Sequence, residues 1–282
     1  MEIRAATDDD LEPAFELLSA QSRAAFGVSE VARADLELRW RLPSIDRLVA
    51  ENGYAALDAA ATFEIAAPDA AVADALLAAV SERARERGFA ELHAVVGDAD
   101  APFRSLVERA GFVRHGGVDR MWKPLDGELP EPRWPDGVHL RAYVDADART
   151  VHALLDEAYT SWDDTYVPRT HEDWLAWMTD HDDFDPALWF LAERDGVLVA
   201  CALNWRERRG RGWVKDLVVA ESERGRGLAK ALLHQTFRAY AARGAEQVGL
   251  KVEPENPTGA PQLYAQVGFV TDHTYGIWVK PL

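Results

Sequence analysis

Cysteine is almost absent. Cys201 is the only one among 282 residues, which excludes an intramolecular disulfide framework and a cysteine-based zinc cluster. Long apolar runs are missing too, since none approaches the roughly 18 residues of a membrane-spanning helix. Positive charge is in deficit: 31 Lys and Arg face 48 Asp and Glu, a net charge of −17. Polyanions are repelled by such a surface at long range, so neither nucleic acid nor membrane is an expected partner. Met1 leads into Glu2, Arg4 and the acidic cluster Asp8–Asp10, not into a signal peptide, and a cytoplasmic location is expected. His171 and His181 stand at no metal-ligand spacing with carboxylates, and no metal is expected. Two common phosphate-binding motifs are also missing. There is no Gly-x-x-x-x-Gly-Lys-Ser/Thr run, and position 230 is Lys where Gly-x-Gly-x-x-Gly needs its third glycine.

What is present is concentrated between Val214 and Leu233, VKDLVVAESERGRGLAKALL. The pattern predicts a strand, a turn holding Arg224, Gly225, Arg226 and Gly227, and an amphipathic helix opening near Leu228. Such a turn aims free N–H groups and the positive end of a helix dipole at whatever lies in front of it. The glycines permit close approach and unusual φ values, and the arginines pair with phosphate oxygens. Physically this is a pyrophosphate cradle. Downstream, Val248, Leu250 and Val252 alternate as in a half-buried strand, Glu253 to Gly259 is turn chemistry, and a short helix carries Leu263, Tyr264 and Val267 before Gly268.

The run Arg-x-x-Gly-x-Ala, from Arg224 through Gly227 to Ala229, closely resembles the acyl-CoA-binding motif of the GNAT superfamily of N-acetyltransferases, Gln/Arg-x-x-Gly-x-Gly/Ala. Asn256, Tyr264, Gly268 and Phe269 match the segment that ends the CoA site in that superfamily. The resemblance implies acetyl-CoA as co-substrate. It would be bound by Leu217, Val218 and Val219, by Arg224 to Gly227 with Leu228 and Ala229, and by Asn256 and Tyr264. It also implies Tyr264 as the acid that protonates the departing thiolate. The family's usual base position is filled by Trp213, which leaves Asp216, Glu253 or a water chain open. In a regular strand Asp216 points to the face opposite Trp213.

The chain also repeats itself. Ile3-Arg4-Ala5 is echoed by Leu140-Arg141-Ala142, Ala50-Glu51 by Ala192-Glu193, Ala75-Leu76-Leu77 by Ala231-Leu232-Leu233, Arg87-Gly88 by Arg243-Gly244, and Gly111-Phe112 by Gly268-Phe269. Landmarks in one order imply two copies of one fold. The expected fold is α/β with a mixed sheet, in two tandem GNAT-like domains. Residues 1–125 form the degenerate copy, 126–137 the Pro- and Gly-rich linker, and 138–282 the acetyl-CoA-binding copy. The pairing sets Pro68 opposite Arg224, Ala71 opposite Gly227 and Val107 opposite Tyr264, so the first copy is expected to be structural. Its segment Tyr54–Ala67 has room for one strand and a turn, while the second copy is expected to place strands at about 198–204 and 213–219, joined by RERRGRG. A tandem pair with one active copy resembles mycothiol synthase and related actinobacterial acetyltransferases.

The acceptor pocket is expected from Tyr159 to Phe190, with Asp163, Asp164 and Tyr166 before Pro168 as candidate contacts; aromatics beside carboxylates suit a cationic amine. The leading expectation is an acetyl-CoA-dependent N-acetyltransferase acting on the primary amine of a small molecule, as monomer or homodimer. The alternatives are a non-catalytic CoA-binding sensor and a protein lysine or N-terminal acetyltransferase.

Overall fold

The computed structural model describes residues 2–29, 31–162, 166–180, 182–208 and 210–282. It is a mixed α/β fold in which one order of elements occurs twice. The first run is β1 (Arg4–Ala5), α1 (Leu11–Phe26), α2 (Arg33–Arg41), β2 (Asp46–Ala50), β3 (Gly53–Leu57), β4 (Thr62–Ala66), α3 (Ala70–Glu86), β5 (Glu91–Gly97), α4 (Ala101–Arg109) and β6 (Val113–Pro124). The second is β7 (Val138–Ala142), α5 (Ala148–Thr160), α6 (His171–Thr179), β8 (Phe190–Arg194), β9 (Val197–Arg208), β10 (Arg211–Val219), α7 (Leu228–Ala242), β11 (Gln247–Val252), α8 (Ala260–Gln266) and β12 (Val270–Pro281).

The compact units do not follow the two runs. Met1–Asp119 and His273–Leu282 form one unit, and Arg120–Asp272 the other. The chain's last strand therefore belongs with the first run, where Tyr275 to Pro281 pair antiparallel with Gly97 to Glu91 of β5. The end of β6 belongs with the second run. There Leu125 N–H donates to the Glu246 carbonyl at 2.8 Å, and Gly249 leaves room for the Trp122 ring, which a Cβ would meet at 2.6 Å. The Pro- and Gly-rich segment 126–137 lies inside the second unit, and residues 273–282 lie outside it.

In the first unit, β1 to β5 lie in chain order and β12 flanks β5; β4 and β5 run parallel, and the other registered pairs among the described residues are antiparallel. Every residue of β3 is buried because both faces are covered. Tyr54 and Ala56 face α1 and α2, while Ala55 and Leu57 face α3. Tyr54–Ala67 holds two short strands, not one. The Asp58 carboxylate accepts the N–H groups of Ala60 and Thr62 at 2.8 and 2.9 Å and closes the reversal within a few residues.

In the second unit the order is the end of β6, then β11, β10, β9, β8 and β7. Strands β9 and β10 extend to Arg208 and from Arg211, so most of RERRGRG is strand. Two cores sandwich this sheet. One gathers Val214, Leu250 and Phe269 with Leu228, Leu232 and Phe237 of α7, and the other gathers Val218, Cys201 and Leu203 with Val151 and Leu155 of α5 and Trp174 of α6. Fully burying one such leucine or valine contributes about 1.5–3 kcal/mol before entropy is counted. Helix α7 is fixed over β10 by Tyr240. A Cβ at Gly212 would meet its ring at 2.7 Å, and its hydroxyl accepts the Trp213 N–H at 3.0 Å and lies 2.5 Å from the Trp205 carbonyl.

Candidate active site

Strand β10 is broken by two register shifts against β9, the second between Val214↔Asn204 and Asp216↔Leu203. The extra residue, Lys215, is a bulge that exchanges the faces of the strand. Before it, Gly212 and Val214 face α7. After it, Val218 lies in the α5 core while Leu217 and Val219 pack on the α7 side. Asp216 moves with Val218. It is only 7% exposed, and its Oδ1 accepts the Tyr159 hydroxyl at 2.7 Å. The expectation of an acid on the face opposite Trp213 is thus corrected: the bulge brings Asp216 to the face of Trp213, inward and hydrogen-bonded.

On its other side β10 pairs parallel with β11 only from Arg211↔Gln247 to Trp213↔Gly249. Beyond Trp213 the registered pairs stop, so the β11-facing edge of Leu217, Val218 and Val219 has no ladder partner among the described residues. An open strand edge of this kind can pair with an extended chain of amide groups.

The edge leads into the turn. Gly225 and Gly227 have φ of +75° and +87°, the left-handed region that costs other L-residues roughly 1–2 kcal/mol. A Cβ at either would meet nothing within 4 Å, so backbone conformation, not crowding, requires glycine in the bare turn. Gly227 is the N-cap of α7, and no side chain caps it. The first intrahelical bond runs from Ala231 N–H to the Gly227 carbonyl at 3.0 Å. The N–H groups of Leu228, Ala229 and Lys230 consequently point out of the helix end with the dipole behind them. The two arginines divide. Arg224 reaches back, with Nη2 donating to Ser161 Oγ at 3.0 Å and Nε to the Val219 carbonyl at 3.3 Å. Arg226 is exposed and 3.6 Å from Glu223, a loose pairing that leaves it able to turn toward an anion. Glu223 is itself buried and accepts from Arg194 Nη2 at 3.2 Å.

The equivalent position in the first unit is built differently. Its helix α3 is capped by Asp69, whose carboxylate accepts the N–H groups of Ala71 and Val72 at 2.8 and 3.2 Å. Matching the helix starts sets Asp69, not Ala71, opposite Gly227. A carboxylate already occupies the place where an anion would bind.

Tyr264, on α8, is 7% exposed and packs edge-on against Phe269 at 5.7 Å. Burial, aided by the Asp216 charge, holds its hydroxyl above the ordinary value near 10, so the phenol is protonated at neutral pH. Asn256 is half-buried in the turn before α8, where its Oδ1 accepts the Thr258 N–H at 3.0 Å. Of the three acceptor candidates, Asp163 and Asp164 lie outside the described residues. Tyr166 stacks on Tyr159 at 5.2 Å and 27° and donates to Asp156 at 2.7 Å. The fold thus brings Asp216, Tyr159, Tyr166 and Tyr264 into one locality beside the open edge of β10. Tyr159 and Asp156 were not singled out in the sequence. Both read as ordinary residues of an amphipathic helix, and no local signal marks them.

Residues 148–269 match the model of the acetyltransferase (GNAT) family. Among curated proteins, a mycothiol acetyltransferase of Streptomyces avermitilis is 32% identical over 214 residues, covering 72% of this chain and 64% of that protein. Another, from Tsukamurella paurometabola, is 29% identical over 277 residues and covers 89% and 90% respectively. The chain spans less than two thirds of the length of several such relatives, 57% to 64% in the proteins of Saccharopolyspora erythraea and S. avermitilis. Among solved structures, a GCN5-related N-acetyltransferase from Sphaerobacter thermophilus superposes with a TM-score of 0.81 at 26% identity, covering 99% of this chain and 95% of that one. A tandem GNAT protein from the clavulanic acid biosynthesis pathway shares the fold, with a TM-score of 0.78 at 17% identity and coverage of 99% and 98%.

Proposed function

We propose, from the match of residues 148–269 to the acetyltransferase (GNAT) family model, that the chain transfers an acetyl group from acetyl-CoA to the primary amine of a small molecule, with its active site in the second unit. The observation that carries this reading is the uncapped start of α7 behind the open edge of β10. Gly225 and Gly227 turn the backbone, the N–H groups of Leu228 to Lys230 face outward, and Arg226 stands beside them. This is the donor set a diphosphate needs. When bound, acetyl-CoA would supply the thioester, the acetyl donor. The chain's part is to hold the diphosphate at this turn and the amide-bearing arm along Leu217 to Val219. Tyr264, protonated and close by, has a hydroxyl suited to return a proton to the leaving thiolate. Asn256 would keep the turn before α8 in shape. The curated relatives are mycothiol acetyltransferases by name, which supports a small-molecule amine as acceptor, and the acidic surface suits a cationic one.

Titration calorimetry with acetyl-CoA should give one site per chain, because Asp69 fills the corresponding helix end in the first unit. Thiol release should then be stimulated by at least one member of a panel of primary amines: glucosamine, cysteinamide, spermidine and a lysine peptide. A clean two-site isotherm would defeat the assignment to one unit. Binding with no amine-stimulated release would make the protein a CoA-binding sensor.

A further inference from the structure

We propose that Asp216 is the general base of the acetyl transfer, taking the proton of the acceptor ammonium, and that Tyr159 is its positioning residue. This rests on the acetyltransferase reading. It assigns the one role that the family pattern leaves empty here, because Trp213 occupies the place where an acid is expected.

Three observations carry it. The first is the bulge at Lys215. A strand gains nothing in pairing from an extra residue, which breaks the ladder locally. Its effect is to swing a carboxylate from the α7 face to the side of Tyr159, beside the open edge of β10. The second is the holding of that carboxylate. Tyr159 fixes Oδ1 at 2.7 Å, and the Tyr159 ring is in turn stacked on Tyr166, whose hydroxyl is tied to Asp156. Such a chain of partners fixes one rotamer, as a group that must meet its proton at hydrogen-bond distance requires.

The third is charge. Asp216 is buried, and burying a carboxylate without full pairing is costly. The groups facing it are the hydroxyls of Tyr159, Tyr166 and Tyr264, the thiol of Cys201 on β9 and the ammonium of Lys215 on its own strand. The hydroxyls and the thiol are uncharged at neutral pH, since burial raises all four. Lys215 Nζ is 3.5 Å from Oδ2, well beyond the roughly 2.7–2.9 Å of a strong charge-assisted bond. Oδ2 therefore has one long ammonium contact among the described residues, and an incoming acceptor ammonium could make a shorter one.

The step balances without any further reagent. One N–H bond of the acceptor ammonium breaks and its proton passes to Asp216. The freed nitrogen lone pair forms the C–N bond to the acetyl carbon, and as the C–S bond breaks the nitrogen sheds its second proton to solvent, leaving the neutral amide. The thiolate takes a proton from Tyr264, which is reprotonated from solvent, and Asp216 gives its proton back to solvent.

The test is Asp216→Asn, Tyr159→Phe and the two combined in the full chain, with acetyl-CoA affinity and thiol release with the amine panel measured. Asp216→Asn keeps the size and a hydrogen-bond acceptor for Tyr159. It should lower kcat/KM for the amine by ~10²–10⁴-fold and leave the acetyl-CoA dissociation constant within about threefold. Tyr159→Phe removes the donor that holds Oδ1. It should lower kcat/KM by on the order of tenfold in the parent and cause no further loss in the Asp216→Asn background. Loss of packing alone would lower the rate in both backgrounds. If the parent chain turns over an amine and Asp216→Asn does so at a similar rate, the base assignment is overturned while the acetyltransferase reading stands. If Tyr159→Phe lowers the rate equally in the parent and in Asp216→Asn, Tyr159 does not position the base. If the parent binds no acetyl-CoA or turns over no amine, both readings fall together.

Discussion

At the scale of single residues, chemistry depends on where a side chain is held, and sequence shows this unevenly. Tyr264 stands after a strand, a turn and a helix start in a recognisable order, and that order, visible in the sequence, is what singled it out. Asp216 was visible as a residue but not as an inward one, because one extra residue in a strand exchanges its faces without altering the alternation of polar and apolar side chains. Tyr264→Phe removes the proton while keeping the ring packed on Phe269. It should lower kcat by ~10²–10⁴-fold with little change in KM for acetyl-CoA, and a near-normal kcat would show that water protonates the thiolate. Another residue-scale effect concerns stability. Burial holds the His152 imidazole below its ordinary 6.5, and His171 adds to this while Asp156 and Glu172 oppose it. The unfolded chain therefore takes up this proton first as pH falls through about 6.5, and stability drops on that side. The melting temperature should fall between about pH 7.5 and 5.5, and less steeply in His152→Gln. A slope that is unchanged would exclude His152 as a source.

Elements decide which helix start is left open to an anion. Helices α3 and α7 both begin after a strand, and the sequence showed that the second opened on glycines. It did not show that Asp69 closes the first, since an Asp before a helix looks like any N-cap. Gly227→Asp gives α7 a carboxylate of its own. Like charges about 4 Å apart cost on the order of 1–4 kcal/mol at surface-like dielectrics, so acetyl-CoA affinity should fall by roughly 5- to 1,000-fold in calorimetry. A favourable acid at the helix start, worth roughly 0.3–1 kcal/mol, partly offsets the left-handed strain of roughly 1–2 kcal/mol. The fold should survive, with a slightly lower melting temperature. Gly227→Ala separates the two effects, because it carries the strain without the charge. If both variants bind acetyl-CoA as the parent does, the turn is only a helix cap.

For the whole molecule, the repeat was legible in landmarks that recur in order, and the mixed α/β architecture followed from it. The assignment of the last strand was not. Val270–Pro281 has the composition of a sheet strand whichever neighbour it joins, and nothing local names β5 as the partner. A chain ending at residue 272 should lose the strand beside β5 and the packing of Trp278 on the first unit's core. Amide exchange should then quicken across Leu92–Gly97, although these residues lie about 180 positions before the cut. Protection that stays unchanged there would mean that β5 is secured without β12. The same exchange of strands sets a timetable for the nascent chain. The first unit is encoded first and finished last, because its sheet waits for residues 273–282 to leave the ribosome. At ~5–20 residues per second, the intervening 120–272 take on the order of ten seconds to make. Throughout that interval β5 presents a bare edge to the cell, which makes the speed of translation a determinant of how much of this protein reaches its native state.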